Sequence, residues 1–219
     1  MNQFDESLES IADHTSQSLI EAATNAAFNL FRNKRFRQHA DFEATGQAEH
    51  DRIFNELVAA FVTIEMLLLE APDLRPRQEF LSYLRTLKER IPGAFAQHLK
   101  SLGVDSTHVA DWKKLLDLRY TEYARDKHEV RKAAMELETS LNSLNVESLS
   151  RIQVLLPVQS VAIGCHYHVF RGETEGKDEL FKLILRELSK FYVMLRVRLE
   201  GGRIGFLARI RARLKHRFR

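Results

Sequence analysis

The strongest constraint on this chain is a regular apolar stripe that runs from residue 116 to residue 144. Apolar or aromatic side chains recur there at alternating steps of four and three residues, which is the spacing of one face of an α-helix. A stripe of this length needs other helices to cover it, so the chain should fold as a bundle organised around this helix. Its positions are Leu116, Tyr120, Tyr123, Lys127, Val130, Ala134, Leu137, Leu141 and Leu144, of which only the lysine is charged.

Composition favours helices over sheets. The 219 residues include only four Pro and nine Gly, well below the usual share of the two residues, and no Asn-Gly or Asp-Gly hairpin signal occurs. We therefore predict an all-α, single-domain bundle of about six long antiparallel helices in residues 1–200. A basic amphipathic C-terminal helix should follow in residues 201–219.

Apolar periodicity and turn residues divide the predicted bundle into helices. The fifth predicted helix is apolar on nearly all sides, which predicts that it lies at the centre of the bundle. The second carries Glu43, Gln47 and His50 on its otherwise apolar stripe, so that part either faces solvent or lines something polar. The predicted helices cover residues 4–32, 36–70, 76–99, 105–144, 147–170 and 177–200.

The sequence favours a cytoplasmic location. Cys165 is the single cysteine, so no disulfide can form within the chain. The N-terminal residues are polar and acidic, unlike a secretory signal peptide. The longest uncharged run, 152–170, is 19 residues long and contains Pro157, His166 and His168, which makes it too polar to span a membrane.

The charge distribution is the most informative functional feature. Of the 33 Lys and Arg residues, seven lie in residues 201–219, which contain no acid. Residues 1–200 carry the remaining 26 together with all 30 acids, so their net charge is −4. If this basic tail is helical, its apolar side chains share one face, so the basic face can bind phosphate or carboxylate groups bidentately. The predicted contact residues are Arg203, Arg209, Arg211, Arg213, Lys215, Arg217 and Arg219.

Three kinds of partner fit such a tail: nucleic acid, an anionic membrane surface, or a protein that receives the apolar stripe. Nucleic acid is slightly favoured over a membrane. The tail could also pack as a seventh bundle helix with a solvated basic face.

The alternative function is that of a metal- or haem-containing bundle with a redox or gas-binding role. The di-iron pattern Glu-x-x-His is missing from the sequence, and such bundles need that pair on one helix face. A metal site would have to combine ligands from different helices. The candidate metal ligands are Glu43, His50, Glu65, Glu122 and His128.

The haem candidate comes from residues 95–116, FAQHLKSLGVDSTHVADWKKLL. This segment resembles the globin region that carries the proximal histidine, where a helix ends in His, a turn follows and a long helix begins. The resemblance covers 22 residues and implies that His98 would bind the iron. The chain before it lacks the proline and phenylalanine of the globin corner.

No catalytic motif is present. The sequence contains no GxSxG, P-loop or GxGxxG motif. Cys165 and His166 are adjacent in an apolar helix, where side chains one residue apart point about 100° apart. We therefore expect a non-enzymatic binding or assembly protein without a cofactor.

Overall fold

The computed structural model describes residues 3–71, 74, 81–171 and 178–200, and over this part the chain is helical without strands. The prediction of an all-α bundle is confirmed, and these residues form seven helices. The basic tail lies outside the described residues. The helices are α1 (Gln3–Phe31), α2 (Lys34–His39), α3 (Gln47–Leu69), α4 (Leu81–Ser101), α5 (Ser106–Ser140), α6 (Val146–Phe170) and α7 (Glu179–Leu199).

Five of the predicted helices match the structure over the described residues, and capping side chains fix the starts of three of them. The predicted start of the helix at 76–99 lies outside the described residues. The Asp105 side chain caps α5 by accepting a hydrogen bond from the backbone N–H of Thr107 at 2.8 Å. Asn145 and Ser148 form a reciprocal capping box at the start of α6. Asp178 caps α7 in the same manner as Asp105 caps α5. Pro92 and Pro157 lie inside α4 and α6, and neither ends its helix.

The predicted second helix was wrong, because the chain turns in the middle of it. Residues 40–46 leave the helical path between α2 and α3, and Asp41 has a φ of 53°. Asp tolerates this left-handed conformation better than most residues do. The His50 ring stacks on Phe42 at a centroid distance of 4.3 Å, which holds the turn against the start of α3.

The helix at the centre of the bundle is α3, which corrects the prediction that this is α6. Every residue from Glu56 to Leu68 is buried. This helix packs against α1, α4, α5, α6 and α7. By contrast, α6 leaves Ile163 and Tyr167 exposed on its outer face.

The apolar stripe of α5 is covered along only its first half. Leu116 and Tyr123 are buried, whereas no residue from 124 to 140 is. Beyond that point α5 and α6 pack mainly on each other as a hairpin, and Leu141 and Val146 are 65% and 82% exposed. We call residues 133–149 the hairpin tip. The second half of the predicted stripe is therefore an apolar surface left open by the described helices.

Candidate functional site

The metal candidates at the start of α3 are used to build the turn before it. Glu43 lies in the turn and is exposed. The His50 Nε2 atom lies 3.1 Å from both the Phe42 carbonyl oxygen and the Thr45 hydroxyl. The polar positions on the predicted stripe are thus explained by a turn that packs against the helix.

The other ligand candidates are spread over the bundle. Glu122 is engaged by Arg119 and His168, while His128 is exposed on α5. His98 is half-buried in the last turn of α4, where Phe95 meets Trp112 edge-on at 5.5 Å. Across residues 3–71, 74, 81–171 and 178–200, no group of three or more His, Cys, Asp or Glu side chains is arranged to hold a metal ion.

Glu65 has the most unusual environment of the candidates. It is 1% exposed in the middle of α3, and neither carboxyl oxygen has a hydrogen-bond partner within the described part of the protein. Burial raises the pKa of Glu65 well above its ordinary value. Burial without a partner therefore favours the neutral acid over the anionic form that a metal ligand needs.

A buried ionic network joins α3, α5 and α6, and the sequence did not predict it. The Arg119 guanidinium donates two hydrogen bonds of 2.7 Å to the Glu56 carboxylate and a third, of 2.9 Å, to Glu122. The Glu122 carboxylate also lies 2.8 Å from the Nε2 atom of His168. The network runs from the central helix through α5 to the last turn of α6.

The charges of this network satisfy one another. Burial opposes the charge of Arg119, but its hydrogen bonds to Glu56 outweigh burial and raise the pKa of the guanidinium. On the α3 side, Arg52 donates to the carbonyl oxygens of His168 and Val169 and so caps the C-terminus of α6. Since each carboxylate already has a partner, the arrangement fastens three helices together.

Cys165 and His166 do not form a catalytic pair. Cys165 is fully buried, and burial raises the pKa of its thiol, so the reactive thiolate is suppressed. His166 instead lies 2.9 Å from an Asp178 carboxyl oxygen and packs on Phe170 and Phe181. These contacts join α6 to the start of α7.

A second cationic surface lies where α1 meets α2. We call Arg32, Lys34, Arg35 and Arg37 the basic corner. Arg37 lies over the Phe42 ring at 4.5 Å, and Arg35 pairs with Glu179 of α7 at 3.3 Å. An open groove of about 590 Å³ beside it also contains Asp41 and Glu43, so this surface mixes both signs of charge.

The predicted tail contacts, from Arg203 to Arg219, lie outside the described residues. Comparison of the chain with protein-family models, curated proteins and solved structures gives no match. None of the described helices combines the length and the apolar character needed to cross a membrane.

The ionic network could have been suspected from the sequence. Glu56 precedes an unbroken apolar run at 57–62, and a carboxylate in such a helix needs a buried cation or a proton. Arg119 gives no matching signal, because charged residues of both signs are interspersed with apolar residues throughout α5. Only the tertiary packing identifies which arginine reaches inward.

Proposed function

We propose that this protein is a non-enzymatic helical binding or assembly protein whose basic C-terminal segment contacts an anionic partner. Nucleic acid is favoured over a membrane surface. The observation that carries the proposal is charge segregation: seven cations and no acid in residues 201–219, against a net charge of −4 for the rest of the chain. An arginine-rich segment of this kind binds phosphate groups bidentately.

Two sets of charged groups in the body lend support because they already have partners there. The buried network of Glu56, Arg119, Glu122 and His168 is closed among its own members. At the basic corner, Arg35 pairs with Glu179, and acidic side chains share the neighbouring groove. Residues 22–40 form a segment of the same length without an acid, but they carry four Lys or Arg where the tail carries seven.

Two matched triple variants separate the tail from the basic corner. Arg209→Gln/Arg213→Gln/Arg217→Gln removes three cations from the tail, and Arg32→Gln/Lys34→Gln/Arg37→Gln removes three from the corner. Gel shifts with a 20-base-pair duplex should show weaker binding by the tail variant, with a salt slope smaller by about 2.7 because each phosphate contact contributes about 0.9. The corner variant should bind nearly as the unmodified protein does. The reverse pattern would move the binding surface to the corner.

Flotation with vesicles separates the two partner classes. Vesicles containing anionic phosphatidylserine should retain the protein less well than the duplex does at the same ionic strength. Tight vesicle binding with no gel shift would assign the tail to a membrane surface, because its apolar face would then enter the lipid.

A further inference from the structure

The hairpin tip has an exposed apolar surface that no described helix covers. Leu137, Leu141 and Leu144 continue the α5 stripe, and Val146 and Leu149 begin α6, all of them exposed among the described residues. Two helices that pack only on each other have little core, and isolated helices are marginal in water. A surface of this kind is normally covered.

The charge of the hairpin tip indicates which segment of the chain could cover it. Residues 133–149 contain three glutamates, at 136, 138 and 147, and no Lys, Arg or His. Pairing the tips of two copies would bring six carboxylates together, which is repulsive. Residues 203–219 carry seven cations and a stripe of their own, so they match the tip in both apolar character and charge. The apolar positions of the tail are Phe206, Leu207, Ile210, Leu214 and Phe218.

The path of the chain brings the tail to the tip. The short connection between α6 and α7 makes them antiparallel neighbours, and the Phe181 ring meets His166 at 5.6 Å. Travelling about 27 Å along each helix axis from this contact leads to Leu199 on α7 and to Ser148 on α6. If α6 and α7 stay side by side over this length, the chain leaves α7 level with the hairpin tip.

As a helix, the tail stripe from Phe206 to Phe218 would extend about 18 Å. The part of the α5 stripe that lies in the hairpin tip, from Ala134 to Leu141, extends about 10 Å, and the exposed Leu144, Val146 and Leu149 lie beyond it. We infer that the hairpin tip is the docking surface for residues 203–219 of the same chain. The apolar face of the tail packs on Leu137, Leu141 and Leu144, and its basic face points outward.

This docking does not rest on the proposed function. Three glutamates cannot neutralise seven cations, so a docked tail still offers a basic face to an anionic partner. Docking can be measured without any polyanion, and polyanion binding can be measured by gel shift alone. The failure of one is thus distinguishable from the failure of the other.

Hydrogen exchange of the full-length protein tests the inference with two matched variants. Leu207→Asp/Leu214→Asp breaks the apolar face of the tail, whereas Ala208→Asp/Ala212→Asp adds the same two charges on the opposite face. Peptides from residues 133–149 should exchange at least about tenfold faster in the first variant than in the second or in the unmodified protein. Peptides from α3 should be unchanged in all three.

Two outcomes would overturn the inference. One is equal exchange of residues 133–149 in all three proteins, which would mean that the tail does not cover the tip. The other is protection that increases with protein concentration, with a dimer seen by sedimentation, which would mean that a second copy covers it.

Discussion

Arg119 on α5 and Glu56 on α3 form a two-pronged ion pair, with both hydrogen bonds at 2.7 Å and both side chains about nine-tenths buried. The planar guanidinium matches the carboxylate geometry, which is the arrangement in which a buried pair is best compensated. The pair fixes the position of α5 against the central helix at the point where the covered half of its stripe ends.

Removing one partner of this pair should be far more damaging than removing both. Arg119→Met leaves the Glu56 carboxylate buried without its cation, at an expected cost of about 3–5 kcal/mol. Arg119→Met combined with Glu56→Leu should recover most of that loss, because the buried Glu56 carboxylate is gone and Glu122 keeps its contact with His168. Urea denaturation measures the three free energies of unfolding.

The exposed pair Lys114–Asp111, at 3.1 Å, provides the control for these variants. Lys114→Met should change the free energy of unfolding by less than about 0.5 kcal/mol, because exposed ion pairs contribute little. An equally small effect of Arg119→Met would show that the buried pair does not hold the helices together.

Glu65 should make the stability of the protein fall as pH rises. Its raised pKa means that the folded state keeps a proton that the unfolded state releases above about pH 4.3. The free energy of unfolding therefore decreases with pH until the folded pKa is passed. Glu65→Gln should remove this dependence, which amounts to at most about 1.4 kcal/mol per pH unit.

The measurement compares urea denaturation of the two proteins between pH 5 and pH 8. Glu129→Gln, at an exposed position on α5, should leave the pH dependence of stability unchanged. A constant stability difference between the unmodified protein and Glu65→Gln across this range would contradict a protonated Glu65.

Gly164 should not tolerate even one methyl group. A Cβ atom there would lie 2.7 Å from the Cδ1 atom of Tyr123 and closer still to Cε1. Tyr123 is fully buried, so its ring has little room to move. Gly164→Ala should destabilise the protein by about 1–3 kcal/mol, as overpacking typically does.

Gly93 is the matched control, because it also lies inside a helix but a Cβ atom there meets nothing within 4 Å. Gly93→Ala should be neutral or stabilise the protein by up to about 1 kcal/mol through helix propensity. Equal thermal stability of the two alanine variants would show that α5 and α6 do not approach as closely as the structure has them.

The sequence predicted the parts of the fold that depend on local signals. The Asp105 cap and the periodicity of α5 and α7 located those helices. The turn at Asp41 was missed because the residues around it continue a helical pattern and no Gly or Pro interrupts them before Gly46. Sequence periodicity also could not tell that Leu137 and Leu141 lie beyond the reach of the other described helices.

The surroundings of the candidate site residues were less predictable, because they depend on contacts between distant parts of the chain. The oddity of Glu65 was visible from its apolar neighbours. The pairing of Glu56 with Arg119 spans 63 residues and left no periodic signal. His50 looked like a ligand, but its partner is the turn formed by Phe42 and Thr45.

We expect the purified protein to contain neither stoichiometric metal nor haem. The described His and Glu candidates are dispersed, and burial disfavours the anionic form of Glu65. Elemental analysis and an absorbance spectrum test this expectation. A Soret band that disappears in the His98→Ala variant would instead establish haem binding at the corner that resembles globins.

The salt dependence of duplex binding, measured for the full-length protein and for the chain truncated after Gly202, tests the central claim most directly. Truncation removes seven cations at once and leaves α1 to α7 in place. The truncated protein should stay folded, with a melting temperature lower by a few degrees, on the order of 1 kcal/mol. Full-length protein should show a steep decline of log affinity with log salt, and the truncated protein a shallow decline or no binding. Identical binding by the two proteins would contradict the assignment of the tail as the contact with an anionic partner.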